Sequence, residues 1–276
     1  MVLAAPAADR AREAFHEEAA LPPLMRARLA AYADSGYDRG HLAPAADHRH
    51  SRAALRDTFF LSNVVPQHPA HNRDFWARVE RFVRDLLREK WDTAYVVTGP
   101  LYLPSRGKGR SSEAFAWRNP ALGEPLQWVA VPTHLFKVVY ARNEGGGGGA
   151  GPVVGAFVVP NAPVPADAPL ARFAVPLAAV EAASGLRLLR GGVGEGEEGA
   201  AEAPLGRVLL ENAARVMLGD EALAMRLPPA LAAPPHQPLF TPAGTVARLR
   251  HVCEATPCAL QPPVRKQTGE GAPVDA

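Results

Sequence analysis

Between Arg73 and Lys90, apolar residues stand at Trp76, Val79, Phe82, Val83, Leu86 and Leu87, in steps of three and four. Steps of that size mark one face of an amphipathic helix. Beyond Asp92, the run Ala94-Tyr95-Val96-Val97-Thr98 is apolar and rich in β-formers. It is closed by Gly99-Pro100, so it reads as a buried strand and a turn. Trp128 to Thr133, Leu135 to Tyr140 and Val153 to Val159 read as three more strands, and Pro176 to Leu189 as another helix. The run Gly145 to Gly149 reads as a flexible connection. No Lys-Ser/Thr pair follows it, so it is not a phosphate loop.

The 276 residues are enough for one large domain or two small ones, and 47% hydrophobic with 21% charged residues suits a globular chain. No run of 18 apolar residues occurs, so no membrane span is expected. The formal charge of +2 does not by itself announce a nucleic-acid partner. Locally the balance is more basic: Asp38 to Lys90 holds ten Lys/Arg against seven Asp/Glu. Arg78, Arg81, Arg84, Arg88 and Lys90 lie on the predicted helix. Alone they describe a solvated face; beside a phosphate-handling motif they would form a phosphate-facing stripe. Cys253 and Cys258 are too few for a disulfide framework, and either a local pair or two thiols fits them.

Such a motif stands at Asp38-Arg39-Gly40-His41, continued by Leu42-Ala43-Pro44-Ala45-Ala46-Asp47. Arg39 offers a planar fork of donors that matches phosphate oxygens. His41 supplies an imidazole that is available as a base near neutral pH. Gly40 permits a tight backbone turn between them. Further on come Thr58-Phe59-Phe60-Leu61-Ser62-Asn63-Val64-Val65-Pro66-Gln67, then Asn72, Trp76 and Glu80.

This ordered set resembles the DNA/RNA non-specific endonucleases of the ββα-metal type, most of all the mitochondrial endonuclease G family. The resemblance continues in Val131-Pro132-Thr133-His134-Leu135-Phe136-Lys137-Val138, in Val159-Pro160-Asn161-Ala162-Pro163, and from Pro169-Leu170 to Gly185-Leu186. It implies an α+β fold, with a mixed, largely antiparallel sheet flanked by helices and a ββα-metal catalytic element. It implies magnesium-dependent hydrolysis of phosphodiester bonds in DNA and RNA without sequence specificity. A homodimer and a mitochondrial location follow from the same resemblance.

The residues then take roles. His41 is the general base for water, and Arg39 neutralises phosphate oxygens. Asn63 supports the motif through hydrogen bonds. Asn72 is the metal ligand, since one neutral oxygen suits a largely hydrated Mg²⁺, with Mn²⁺ expected to substitute. Glu80 lies eight residues on, a rise of about 12 Å and an offset of about 80° on a straight helix. It is therefore placed to hold metal-bound waters rather than the ion. A plain alternative for Glu80 is an ion pair with Arg84, and for Asn72 a helix N-cap. Arg39, Arg78, Arg81 and Arg84 are the expected nucleic-acid contacts. The resemblance also calls for an upstream arginine, for which only Arg26 and Arg28 suggest themselves.

The organisation expected is a helical or incomplete N-terminal segment (1–30), a nuclease domain (31–190), a flexible acidic and Gly-rich linker (191–205), a C-terminal helical extension (206–261) and a disordered tail (262–276). Three rival readings remain. One is a catalytically impaired nucleic-acid-binding member of the same family. Another is a phosphodiesterase or phosphatase for small molecules. The third concerns only the metal: His41, His48 and His50 could form a three-histidine site.

Overall fold

The structure, a computed structural model, describes residues 8–103, 105–106, 115–116, 120–124, 127–143, 152–188 and 250–262. The expected boundaries near 190 and 205, the Gly145–Gly149 run, and residues 191–249 and 263–276 lie outside these.

Element order is α1 (Leu29–Tyr32), β1 (Asp38–His41), α2 (Arg52–Asp57), β2 (Val64–Gln67), a π-helical turn (His71–Trp76), α3 (Ala77–Glu89) and β3 (Thr93–Leu101). Short ladders β4 (Ser105–Arg106) with β5 (Phe115–Ala116) and β6 (Ala121–Leu122) with β7 (Val129–Ala130) follow. Then come β8 (His134–Arg142), β9 (Val153–Pro160), α4 (Leu177–Ser184), β10 (Arg250–His251) and α5 (Val252–Ala255).

The main sheet has the order β10-β9-β8-β3, antiparallel except for the parallel β10–β9 pair. The α+β expectation holds. The helix stripe does what its period requires: Trp76, Val79, Phe82, Val83 and Leu86 are buried in one core with the β8 and β9 side chains, while Leu87 is left exposed. Burying such side chains contributes about 1.5–3 kcal/mol each before chain entropy is subtracted. Strand β9 is buried from Val153 to Val159, the mark of a central strand covered on both faces. Helix α4 is shorter than its sequence pattern, because Gly185 adopts a left-handed conformation (φ 71°) that ends it after Ser184.

The run at 94–98 departs from the sequence reading: β3 continues through Gly99-Pro100 to Leu101 instead of turning there, and Tyr95, Val96 and Val97 are exposed rather than buried. Residues 8–37 pack on the nuclease body. Phe15, Leu29, Ala31 and Tyr32 share a core cluster with Leu61, Val64, Leu122 and Val131. Backbone bonds from His16 to Phe59 and from Leu61 to His16 tie that segment down. At the other end, Val252 is fully buried against β9, where Gly155 leaves room for it. The two cysteines form a disulfide that closes this element.

Candidate active site

Strand β1 alternates, so Asp38 and Gly40 share one face and Arg39 and His41 the other. The Asp38–Gly40 face is buried. The Arg39–His41 face looks towards Phe15: the Arg39 guanidinium stacks on that ring at 4.6 Å, and the His41 ring centroid lies 5.2 Å from it. Phe59 meets the His41 ring edge to face at 4.9 Å. Strand β2 holds β1 in antiparallel register, Gly40 opposite Val65 and His41 opposite Val64. A Cβ on Gly40 would collide with the side chain of Gln67, so only glycine lets the strands close.

Asn63 makes three hydrogen bonds: its Oδ1 accepts from Ala43 N at 3.0 Å, and its Nδ2 donates to Ala43 O at 3.0 Å and Thr58 O at 2.9 Å. It thereby clamps the loop that leaves His41. Burial pushes His41 down to about 4, with the Arg10 charge adding to the effect. The imidazole is therefore neutral at physiological pH, able to accept a proton. Its Nε2 is enclosed without a hydrogen-bond partner.

Asn72 is not an N-cap. It lies inside the π-helical turn, a distortion common at functional sites. Its Nδ2 donates to Asp38 Oδ2 at 3.0 Å. Arg73 grips both oxygens of Asp38, Nε at 2.8 Å and Nη2 at 2.7 Å. With its NH₂ committed to Asp38, Asn72 keeps its carbonyl oxygen as an acceptor.

Glu80 lies on the same helix and has no ion pair with Arg84, which instead binds Asp47 at 2.8 Å. Although Glu80 keeps some exposed surface, the atoms crowding its carboxyl raise its pKa to about 7. Lys137, Arg84 and Arg10 oppose that rise, and Asp47 adds to it. A half-buried carboxylate with a raised pKa in a cleft is a common sign of a functional group.

The arginines divide. Arg39 faces the cleft, and Arg81 and Arg84 are half-buried on α3. Arg78 is a correction: it is buried, donates to Ala166 O at 2.9 Å, pairs with Asp74 at 3.0 Å and stacks on Phe75. No phosphate can reach it. Arg26 and Arg28 are also engaged elsewhere, Arg26 with Ala19 O and Leu21 O and Arg28 with Glu17. The upstream arginine that the structure brings beside Arg39 is Arg10. It lines a cleft of about 600 Å³ with Arg39, Arg49, Phe15 and Phe59, and its charge acts on both His41 and Glu80. Nothing in its sequence surroundings marked it, because only the packing of residues 8–16 on Phe59 brings it there.

A second residue without an assigned role is Asn161. It accepts from His68 N at 2.8 Å and donates to Pro66 O and Pro132 O, joining the β2 exit to the main sheet. It falls in the Val159-Pro160-Asn161 block, which was the signal available. The three-histidine site does not form. Among the described residues no group of three or more His, Cys, Asp or Glu could hold a metal. His48 Nδ1 lies 3.0 Å from Pro44 O, and its ring is 6.3 Å from that of His50. The groups that the sequence reading assigns to a cation are oxygens: the Asn72 carbonyl and, through water, the Glu80 carboxylate. Both cysteine sulfurs are locked in their disulfide. This donor set fits a hard, largely hydrated cation.

A β-hairpin-like pair followed by a helix, with Asp38-Arg39-Gly40-His41 on the first strand and Asn72 and Glu80 on the helix, is the ββα arrangement of metal-dependent nucleases. Residues 3–193 match the model of the DNA/RNA non-specific endonuclease family, and the chain belongs to that family. It is 43% identical over 190 residues to the mitochondrial nuclease of Saccharomyces cerevisiae, covering 68% of this chain and 56% of that protein. To human mitochondrial endonuclease G it is 43% identical over 179 residues, covering 64% and 57%. To a nuclease of Syncephalastrum racemosum it is 43% identical over 180 residues, covering 64% and 55%. The chain thus spans little more than half the length of these relatives. The crystal structure of the EndoG/EndoGI complex is similar with a TM-score of 0.60 and 35% identity, covering 65% of this chain and 70% of that one.

Proposed function

We propose that this chain is a magnesium-dependent endonuclease that hydrolyses phosphodiester bonds in DNA and RNA without sequence specificity. The observation that carries this reading is that β1 presents Arg39 and His41 on one face, both against the ring of Phe15, and that Arg10 lines one cleft with Arg39 and Phe15. A base and phosphate-binding arginines therefore stand around one aromatic ring at the edge of that cleft.

In this reading Arg39 and Arg10 bind the non-bridging oxygens of the scissile phosphate. Neutral His41 accepts a proton from the attacking water. Phe15 and Phe59 hold the imidazole between them, and Asn63 fixes the loop behind it. Asn72 Oδ1 would bind Mg²⁺ and Glu80 its waters, with Mn²⁺ as substitute. When bound, the cation would stabilise charge on the phosphate and on the leaving oxygen. Arg81 and Arg84 extend the basic surface along α3. Contacts of this kind address the backbone and carry no base information. Relatives named as mitochondrial nucleases support a mitochondrial location, and the family resemblance supports a homodimer. No helix among the described residues is long and apolar enough to cross a membrane.

The test is a nicking assay on supercoiled plasmid and on single-stranded RNA, with Mg²⁺, with EDTA, and with His41→Ala. Cleavage of both substrates that needs Mg²⁺ and is lost in His41→Ala is the expected result. Full activity in EDTA, or in His41→Ala, would overturn the mechanism.

A further inference from the structure

The last described residues, 250–262, form a strap along the outer edge of the main sheet, beside β9. Their own secondary structure is slight. β10 lays two residues parallel to Val153 and Val154, and α5 is one turn of four residues. A single turn and a two-residue ladder do not hold themselves together in water. Side chains anchor them instead. Val252 is fully buried in the notch at Gly155, where an added Cβ would meet it. His251 meets the Phe157 ring edge to face at 5.7 Å, and its Nδ1 accepts from Cys253 N at 3.1 Å. Lys90, at the end of α3, donates to Ala255 O at 3.0 Å. The strap thus grips both the sheet and the end of the helix that carries Glu80.

Cys253 follows the buried Val252 directly and is half-buried, whereas Cys258 is buried in the main core. Their disulfide joins the two legs of the strap across Glu254-Ala255-Thr256-Pro257. It ties the return leg, where Cys258 and Leu260 pack on the core, to the leg anchored by Val252. The same bond restricts the undocked strap, which lowers the entropy lost on docking. Beneath the strap, β9 is buried from Val153 to Val159. The open edge of such an apolar strand is one that proteins keep covered.

We propose that Cys253–Cys258 is a redox-sensitive latch: as a disulfide it keeps the strap docked on β9, and reduction by a dithiol releases the strap and opens that edge of the sheet. One thiolate of the dithiol attacks the sulfur of Cys253, the less buried cysteine. A mixed disulfide forms there as the bond to Cys258 breaks, and Cys258 leaves as a thiolate. The second thiolate of the dithiol then attacks its own partner sulfur and frees Cys253. The dithiol ends as a disulfide, and two electrons and two protons have passed to the cysteine pair. The return leg is then tied to Val252 by the chain alone, and the short ladder at Val153 and Val154 loses its support.

The test compares the oxidised full chain with the same protein treated with dithiothreitol under native conditions, and with the double variant Cys253→Ser/Cys258→Ser. Free thiols are counted, hydrogen exchange is followed by mass spectrometry, and melting temperatures are read by circular dichroism. None of these readouts needs nuclease activity, so the latch and the functional reading fail separately. On reduction, thiols should appear and the peptide over residues 250–260 should exchange about tenfold faster or more, while the peptide over β8 keeps its protection. The melting temperature should fall by about 5 °C, the usual scale for a short-loop disulfide. The double variant should match the reduced protein and ignore dithiothreitol. Should that variant not fold, the reduced protein decides, because it is folded before the bond is cut. Three results would overturn the proposal. One is a reduced protein with unchanged exchange over 250–260. Another is a bond that dithiothreitol cannot cut in the folded protein. The last is a loss of protection in β8 together with the strap, which would make the bond a support of the whole fold.

Discussion

The side-chain amide of Asn72 donates to the carboxylate of Asp38 across 3.0 Å, tying the helix of the ββα element to its first strand. Because the NH₂ end is committed, the carbonyl end is the one left to accept a bond or a cation. Arg73 holds the same carboxylate with two bonds, so Asp38 cannot turn away. The orientation of the proposed metal ligand thus depends on a residue that touches no metal.

Asp38→Asn should therefore impair metal use without removing a ligand. Its carboxamide loses the charge-assisted grip of Arg73 and one acceptor for Asn72. The Mg²⁺ concentration for half-maximal cleavage should rise about 10- to 100-fold, as for losses around other metal ligands. Asn72→Ala should raise it at least as much and lower the maximal rate as well. A Mg²⁺ titration of plasmid cleavage checks both. An unchanged midpoint in Asp38→Asn would separate Asn72 from Asp38 in function.

Gly40→Ala should destabilise the protein by about 1–3 kcal/mol, the usual cost of overpacking. The added methyl meets the side chain of Gln67, whose amide atoms are buried with no hydrogen-bond partner. Trimming that side chain with Gln67→Ala in the same molecule should restore much of the loss. Thermal melts of the two single variants and the double variant form the cycle, and simple additivity would show that the contact is not what forbids alanine.

Arg10 and Arg78 should behave oppositely. In a His41→Ala background, Arg10→Ala should weaken DNA binding and lower the slope of log affinity against log salt by roughly one. In the protein that keeps His41, Arg10→Ala should also raise the pKa of that histidine, because the Arg10 charge now holds it down. Arg78→Ala should leave the salt slope alone and lower the melting temperature, since it removes the bonds to Ala166 O and Asp74. A salt slope that falls in Arg78→Ala instead would return Arg78 to the nucleic-acid surface.

Acid should destabilise the fold. Burial lowers His41 and His251 to about 4 and His71 to about 3. Such groups contribute stability that is fully present above their unfolded value near 6.5 and is lost as pH falls towards their folded values. Glu80 works the other way: its contribution is present below 4.5 and is lost as pH rises through about 7. Three groups outweigh one, so the melting temperature should drop between pH 6.5 and 4. Both ring nitrogens of His71 are buried without partners, so His71→Leu should be neutral or stabilising at pH 7 and flatten the drop below pH 6. Circular-dichroism melts across that range would expose the opposite trend if burial were not the cause.

Much of this protein was legible in the order of its residues. The apolar steps from Trp76 to Leu86 imposed a helix with one buried face, and the β-rich runs at 94–98 and 153–159 imposed strands, because period and side-chain shape act locally. The turn expected at Gly40 is instead part of β1, whose period of two puts Arg39 and His41 on one face. Asn63, Asn72 and Glu80 could be named from their spacing and their resemblance to a family. Only the tertiary structure decided what each charge does. Arg78 and Arg81 are alike in sequence, but the first is buried under the Ala166 loop. Arg10, Arg26 and Arg28 precede the motif equally, yet only Arg10 reaches the cleft, because His16 pairs with Phe60 and carries the segment across Phe59. Lys137 reads as one polar residue in a strand until the sheet places it beneath Trp76. Burial and electrostatic coupling depend on distances between residues far apart in the chain. Those distances exist only once the helix lies on the sheet and the N-terminal segment lies over β1.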